Sequence, residues 1–563
     1  MHRGDRFIDL ARDALARRDL AAAERALRAA LCCAPDRVEG HFNLGVLQGQ
    51  TANPGAAIRC YRRALIGQPG HPAAAGNLAD ALLSLSRDDE AERVCIRALD
   101  HAPLAAGLLG NLALIRVRRG DHRRAELDVR RAVCVDPSRG KVWQTLGLLH
   151  HVRADSADSA YRRAWLSGMR EAGILVNRGE IAQREGRIAE AIDYYKAALA
   201  IAPEDPDIQA NLAAANIDAG DFPSARVAAR AVLANYPDHR LARWIDSWVS
   251  LAHRDFASGY RAYDDPWQRP DRDAHPYTTQ FPLWDGTPLA GPLLLWCDQG
   301  LGDEILYAGM IDDVLALGVH VMLETDARLA PLFQRSWPAI EIIARGDDLP
   351  TGIAAQSSVR RLPMLFRRGP GDFPTRRSYL VADPERVAGY RAIFRRTGAG
   401  GRTGVGAGAD KSAGPDKSIG LSWRSGNPRT GSGKSTALAA WDGLLGLAGA
   451  RFFSLQYDDG GEAHPRLQSN PDPDVKVDID GLAAQITALD HVVSISGVTA
   501  HLAGALGVPG HVLLPSAPLW FWFAEGSDCP WYPSLSVVRR ALGEDWTPVV
   551  RRASQAVRNQ LIA

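Results

Sequence analysis

Small and apolar residues return on a 34-residue step through the first 240 positions. Pro35, Pro69, Pro103, Pro137, Pro203 and Pro237 close successive segments, 34, 34, 34, 66 and 34 residues apart. Leu10, Leu44, Leu78, Leu112, Leu146 and Leu212 form one column, with Arg178 in its sixth place. Ala23, Ala57, Ala91, Ala125, Ala191 and Ala225 form a second, and Ala30, Ala64, Ala98, Ala132 and Ala198 a third. The pattern predicts two antiparallel helices per segment. Alanines let them approach closely, bulkier residues fill the space between segments, and the closing proline cannot continue a helix. No segment buries its apolar face alone, so seven of them stack into one solenoid. The segment around Trp143, Leu146 and Gly147, with Tyr161 and Ala164 in its second helix, is two residues short. It either bends the superhelix or is drift. Trp244, Trp248, Leu251, Phe256 and Tyr260 read as a closing helix pair, and 264–290, rich in Pro, Asp and aromatics, as a linker.

The pattern changes at 291. PLLLWC (292–297), HVMLE (320–324) and IEIIA (340–344) are short apolar runs separated by helical stretches. After 397–417, which holds seven glycines, come IGLSW (419–423), FFSLQ (452–456), HVVSIS (491–496) and HVLLP (511–515). Strands alternating with helices predict parallel, doubly wound sheets. The organisation expected is a solenoid over 1–262, a linker over 263–290, an α/β half over 291–396, a glycine-rich hinge over 397–417 and a second α/β half over 418–563, ending in a helix. Ligands of such sheets bind beyond the carboxyl ends of the strands, so the cleft between the halves is the expected site.

A 34-residue period with small residues at fixed offsets is the signature of tetratricopeptide (TPR) repeats. Such solenoids hold other proteins. Asn43, Asn77, Asn111, Asn177 and Asn211 share one offset on the first helix of each pair, with Asp9 and Thr145 in the remaining two places. An amide donates and accepts together, so a stacked row of them can grip a peptide backbone without reading its side chains. The alternative is that Asn is simply common at that offset.

Composition narrows the classes. The chain has 563 residues, 46% hydrophobic, with a net charge of +1. That gives no general attraction to nucleic acid or anionic lipid. MHRGDRFIDL is no signal peptide, and no run approaches the ~20 apolar residues of a membrane span. A cytoplasmic protein is expected. Seven cysteines without a CxxC pair, and fifteen scattered histidines, give no metal site and no disulfide framework.

Four loops carry candidate chemistry. In QGLGDE (299–304), Gly300 and Gly302 permit close backbone approach to a ligand, and Asp303 and Glu304 either cap the following helix or supply a general base. WRSGNPRTGSGKST (423–436) resembles a P-loop, but Pro428 stands where that motif needs glycine. Arg424, Arg429 and Lys434 can still hold a diphosphate; otherwise the loop is solvated. In SISGVTAHLAGALG (494–507), Ser496, Gly497 and Thr499 sit at a strand-to-helix turn suited to phosphate or ribose. His501 is a ligand there or a core histidine. The aromatic segments PSAPLWFWF (515–523) and CPWYPS (529–534) are either a wall for a base or sugar ring or domain-closing core.

Together, QGLGDE after the first strand, LSWRSGNPR, FFSLQ, TAHLAGALG and WYPS resemble bacterial TPR proteins with a C-terminal glycosyltransferase domain of the heptosyltransferase-like GT-B kind. The resemblance covers nearly the whole chain. Its architecture is also similar to O-GlcNAc transferase and to flagellin-modifying TPR transferases. It implies two Rossmann-like halves and a metal-independent, inverting transfer with a nucleotide sugar as substrate and no cofactor. By position it implies Asp303, beside Gly302, as base, one of Arg424, Arg429 and Lys434 on the donor diphosphate, and His501 on the donor side; Gly300, Gln456, Ser496, Gly497 and Thr499 complete the expected donor-binding set. Ser496 and Gly497 depart from that family's Asp-Thr pair. The acceptor implied is Ser or Thr of a protein in the repeat groove, flagellin by analogy of architecture. Two alternatives stand beside this: a non-catalytic TPR scaffold with a degenerate transferase domain, and a transferase acting on cell-envelope glycans.

Overall fold

The computed structural model describes residues 3–51, 53–153, 157–263, 277–297, 300–396, 417–427, 431–457, 461–469 and 474–561. Residues 264–276 of the expected linker and nearly all of the glycine-rich hinge lie outside these. The chain forms two compact units: Met1–Glu185 with Asp193–Pro203, and Gly186–Ile192 with Glu204–Ala563.

The first unit is a stack of helix pairs, beginning with Arg3–Ala16 and Leu20–Cys33, then Val38–Gln50 and Pro54–Gly67, then Pro72–Ser84 and Asp88–His101. The alanine columns are its spine: Ala23, Ala57, Ala91 and Ala125 are buried where helices cross. Small apolar clusters follow one another along the stack rather than merging into a single centre. In the short repeat, the second helix is Asp158–Leu166, nine residues against fourteen for Leu20–Cys33. Its packing is kept all the same. A Cβ on Gly147 would lie 2.7 Å from the Tyr161 ring, so only glycine admits that ring.

The second unit joins the helices Pro206–Ala219, Phe222–Asn235, Arg240–Ala252 and Phe256–Tyr263 to two parallel sheets. One sheet holds β1 (Leu293–Trp296), β2 (Val321–Thr325), β3 (Glu341–Ala344) and β4 (Ala355–Ser358) in the order β3-β2-β1-β4. The other holds β5 (Lys417–Ser422), β6 (Ala450–Ser454), β7 (Leu467–Gln468), β8 (His491–Ile495), β9 (Gly510–Leu514) and β10 (Leu535–Arg539) in the order β10-β9-β8-β5-β6-β7.

Three strands were not expected from the apolar runs: β4, β7 and β10. β4 reads AQSS, yet every residue of it is buried. Its polar groups are satisfied laterally: Trp296 Nε1 donates to Gln356 Oε1 at 2.7 Å, and Trp284 N donates to Gln356 O at 2.9 Å. A polar strand can be buried when a neighbour supplies its hydrogen bonds, and hydropathy cannot see that. β7 has two residues, too few for a period. β10 is half-exposed at the sheet edge.

One apolar core runs from the last repeat helices through both sheets. The Phe256 ring lies 5.5 Å from Phe373 and 6.1 Å from Phe523, and Tyr260 6.3 Å from Trp520. Ala524 N donates to Ala252 O at 2.7 Å. The aromatic segments therefore close the core. The two sheets are tied by Arg335, which donates to both carboxylate oxygens of Asp480 at 2.6 and 2.9 Å, and by Phe394 against Phe453 at 4.1 Å.

Candidate functional site

Each sheet changes direction once. After β3 the chain crosses to the far side of β1, and after β7 it crosses to the far side of β5. At such switch points the loops diverge and leave a crevice beyond the carboxyl ends of the strands. The loops concerned follow β1, β5 and β8. They open on one cavity of about 710 Å³.

Nine of the sequence-predicted residues line it: Gly300, Gly302, Asp303, Arg424, Lys434, Ser496, Gly497, Thr499 and His501. The loop after β1 runs into the helix Leu301–Ala308, and the loop after β8 into the helix Val498–Ala505. Gly300 and Gly497 stand at the two N-caps, and among the described residues no side chain caps either helix. Both helices thus present backbone N–H groups and positive dipole ends at the cavity.

Asp303 and Glu304 separate clearly. Neither is an N-cap, since Gly300 holds that place. Glu304 is buried and its carboxylate is fully engaged: Thr325 Oγ1 donates to it at 2.6 Å, Asp326 N at 3.0 Å and Arg345 Nη2 at 2.5 Å. It ties the helix to the end of β2. Asp303 lines the cavity instead, and its charge acts on Lys434. Burial holds the Lys434 ammonium below its ordinary value, and Asp303 opposes that shift.

Gln456 does not line the cavity. Its Oε1 accepts from Trp423 N and Arg424 N, both at 2.9 Å, and its Nε2 donates to Arg424 O at 3.0 Å. The amide holds the backbone that carries Arg424. Glu462 steadies the same loop, accepting from Trp423 Nε1 and Leu438 N at 2.9 Å. Arg429 lies outside the described residues, as do Pro428 and Thr430. The described part of this loop is anchored at Trp423, Arg424 and Leu438, while Gly426, Asn427 and Gly433 are exposed.

His501 is both core and lining. It is buried, within 5.2 to 5.7 Å of the rings of Trp522, Phe521 and Tyr532. A Cβ on Gly302 would lie 2.8 Å from its Cδ2, so glycine lets the first helix approach the imidazole. Burial, and secondarily the Lys434 charge, push its pKa down to about 3, and the ring is neutral near pH 7.

Among the described lining residues four are cationic, Arg328, Arg424, Lys434 and Lys476, against one carboxylate, Asp303. Arg328, Tyr457 and Lys476 were not foreseen. Arg328 follows β2 and Tyr457 follows β6, so the carboxyl-end rule could have found both. Lys476 lies in a segment without periodicity and gave no signal. Phe521 and Trp522 also line the cavity, so the core-forming aromatic segment supplies part of its wall.

The asparagine column is distributed differently. Asn43, Asn77 and Asn177 of the first unit and Asn211 of the second are half-buried. Asn111 is buried and donates from Nδ2 to Gly76 O at 3.3 Å, which places its amide inside the stack. Burial raises the Tyr61 hydroxyl, and Asn77 opposes that rise.

Comparison with known proteins adds the following. Tetratricopeptide repeat models match residues 47–106, 151–206 and 182–244, and the chain carries TPR repeats. Protein FlbA of Caulobacter vibrioides is 26% identical over 578 residues, 96% of this chain and 82% of that one. Among solved structures, a tetratricopeptide repeat protein from Parabacteroides merdae is 16% identical, with a TM-score of 0.27 over 46% of this chain and 90% of its own. Pseudomonas aeruginosa pilF is 20% identical, with a TM-score of 0.32 over 37% of this chain and 95% of its own. Among the described residues no helix is long and apolar enough to cross a membrane.

Proposed function

We propose that this protein is a nucleotide-sugar-dependent glycosyltransferase of the GT-B kind whose acceptor is a protein held by its repeats. The observation that carries the reading is the composition of the cavity at the switch points. Among the described lining residues a single carboxylate, Asp303, stands with four cations and two helix N-termini that no described side chain caps. Such a site favours an anion and leaves one group able to take a proton.

In the proposed reaction the donor diphosphate lies against Arg424, Lys434 and the helix start at Gly497. They stabilise the charge that develops as the sugar–phosphate bond breaks. Asp303 accepts the proton of a Ser or Thr hydroxyl as its oxygen attacks the anomeric carbon from the opposite side, which inverts the configuration. Gln456 and Glu462 keep the Arg424 backbone in place. TPR repeats typically hold other proteins, and that supports a polypeptide acceptor. The Ser496-Gly497 departure favours one second reading, a scaffold without transferase activity.

Calorimetric titration with UDP, GDP, ADP, CDP and CMP separates the two. Saturable binding of one nucleotide is expected, weakened roughly 10- to 100-fold by Arg424→Ala through loss of a charged hydrogen bond and unchanged by Asp303→Ala. Absence of binding by every nucleotide to the folded protein overturns the transferase reading and leaves the scaffold.

A further inference from the structure

One side of the repeats carries charge that the total hides. Residues 1–203 hold 31 Lys and Arg against 24 Asp and Glu, although the whole chain stands at +1. In the first unit, first helices of successive pairs pack on one another, as Pro72–Ser84 does on Ala106–Arg118. The second helices stand on the other side. Among the described residues, the five from Leu20–Cys33 to Asp158–Leu166 expose thirteen arginines and two carboxylates. Their five first-helix partners expose three cations and three carboxylates. The excess therefore belongs to one side of the stack. It also keeps the repeat step: Arg63, Arg97 and Arg131 each stand one place before a buried alanine, and Arg25, Arg59 and Arg93 form a second column.

Part of this side is concave. Between Pro54–Gly67 and Asp88–His101 lies a groove of about 550 Å³. Buried Ala75, Leu78 and Ala98 and half-buried Leu65 and Val94 give it an apolar floor, and Ile66, which also lines it, is 73% exposed. The Glu90 carboxylate in its wall is already engaged: Arg62 Nη2 donates to it at 2.6 Å and Arg87 Nε at 2.7 Å. Arg93 and Arg97 line the groove, are exposed, and make no salt bridge or hydrogen bond with their side chains among the described residues; Arg93 acts on Glu90 only through space. Of the described lining carboxylates, Asp100 is the one left to oppose them.

We infer that this groove docks an acidic polypeptide segment that carries apolar side chains between its carboxylates. The guanidinium groups of Arg93 and Arg97 present forked N–H donors that match a carboxylate. An apolar side chain of the same segment takes Leu65, Ile66 and Val94 out of water. The two features together choose the occupant. A nucleic acid brings phosphates but little that covers an apolar floor, and a lipid surface is flat and cannot follow a groove. The arginine columns on the neighbouring second helices attract the same segment from a distance and steer it inward. The groove lies on the second helices and the asparagine column on the first, so one does not occlude the other. The inference needs no transferase activity and stands or falls separately from that reading.

The test is fluorescence anisotropy of the full chain with three labelled synthetic peptides: one of glutamates with leucines spaced among them, one with serine in place of leucine, and one with lysine in place of glutamate. Saturable binding of the Glu–Leu peptide is expected. Arg93→Glu with Arg97→Glu should weaken it about tenfold or more and create binding of the Lys–Leu peptide, a gain that mere damage to the fold cannot give. Ile66→Ser should weaken the Glu–Leu peptide and leave the Glu–Ser peptide unchanged. Arg123→Glu with Arg124→Glu, on the next second helix and outside the groove, should change affinity by no more than about twofold. All five positions are exposed, and far-ultraviolet circular dichroism checks that the helices persist. Failure of the Glu–Leu peptide to bind overturns the proposal, as does equal loss in the two charge-reversed variants, which marks diffuse attraction. Tighter binding of oligouridylate or of phosphatidylglycerol vesicles, lost in the Arg93 and Arg97 variant, assigns the face to nucleic acid or lipid and overturns it too. So does self-association in sedimentation that the same variant abolishes, which makes a second copy the occupant.

Discussion

Asp303 and Glu304 are neighbours with different duties, and substitution should separate them. Asp303→Asn is expected to lower turnover about 10²- to 10⁴-fold, the usual contribution of a general base. Glu304→Gln is expected to act on urea unfolding instead. It weakens the bonds to Thr325, Asp326 and Arg345 in a buried place, costing about 1–3 kcal/mol by the same unfolding measurement. Gly302→Ala should damage both properties, because the added methyl drives into His501. Overpacking of this kind costs about 1–3 kcal/mol. The histidines give a pH signature. Burial lowers His491 and His501 from 6.5 to about 3, and lowers His511, whose Nδ1 lies 2.8 Å from His491 Nε2. Below pH 6.5 the unfolded chain binds protons that the folded one refuses, so stability falls as pH falls, from about 6.5 toward about 3. The slope is up to about 1.4 kcal/mol per pH unit for each histidine. Denaturant midpoints across that range check it, and a flat profile would refute it.

At the scale of elements, the second helices that start at Leu20, Pro54, Asp88 and His122 keep the 34-residue step, as do those at Ile188 and Phe222. Asp19, Asn53, Asp121 and Asp221 cap four of them, each accepting from a backbone N–H three residues on, at 2.9 to 3.2 Å. Asp121→Ala is expected to cost about 1 kcal/mol, read as a shift in thermal midpoint. The helices were legible because their period is long and their packing partners are local. The apolar strands were legible for a related reason: β1, β2, β8 and β9 are buried on both faces, which leaves a continuous apolar run. β4 was not, because Trp284 and Trp296, distant in sequence, make its polar residues tolerable.

For the whole molecule, the boundary in packing is not the boundary in pattern. The repeat signature runs to about 262, but the compact units divide near 203, and the last repeat helices share a core with both sheets. A fragment of residues 204–563 is therefore expected to fold alone and give a cooperative transition. A fragment starting at 264 loses Trp248, Phe256 and Tyr260 and should not. Phe256→Ala in the full chain is expected to cost about 3–5 kcal/mol, because a buried aromatic leaves a cavity between three rings. Calorimetry of both fragments and the variant checks this, and a stable 264–563 fragment would contradict it.

The sequence by itself determined the repeat period, the change to parallel α/β order and the loops that carry the lining residues, because each is written in local spacing. Only the tertiary structure decided which carboxylate faces the cavity, that Gln456 serves the backbone, that Asn111 turns into the stack, and that the His501 ring meets the Tyr532 hydroxyl. These are matters of direction and partnership. They depend on contacts between segments far apart in the chain, which no local pattern encodes.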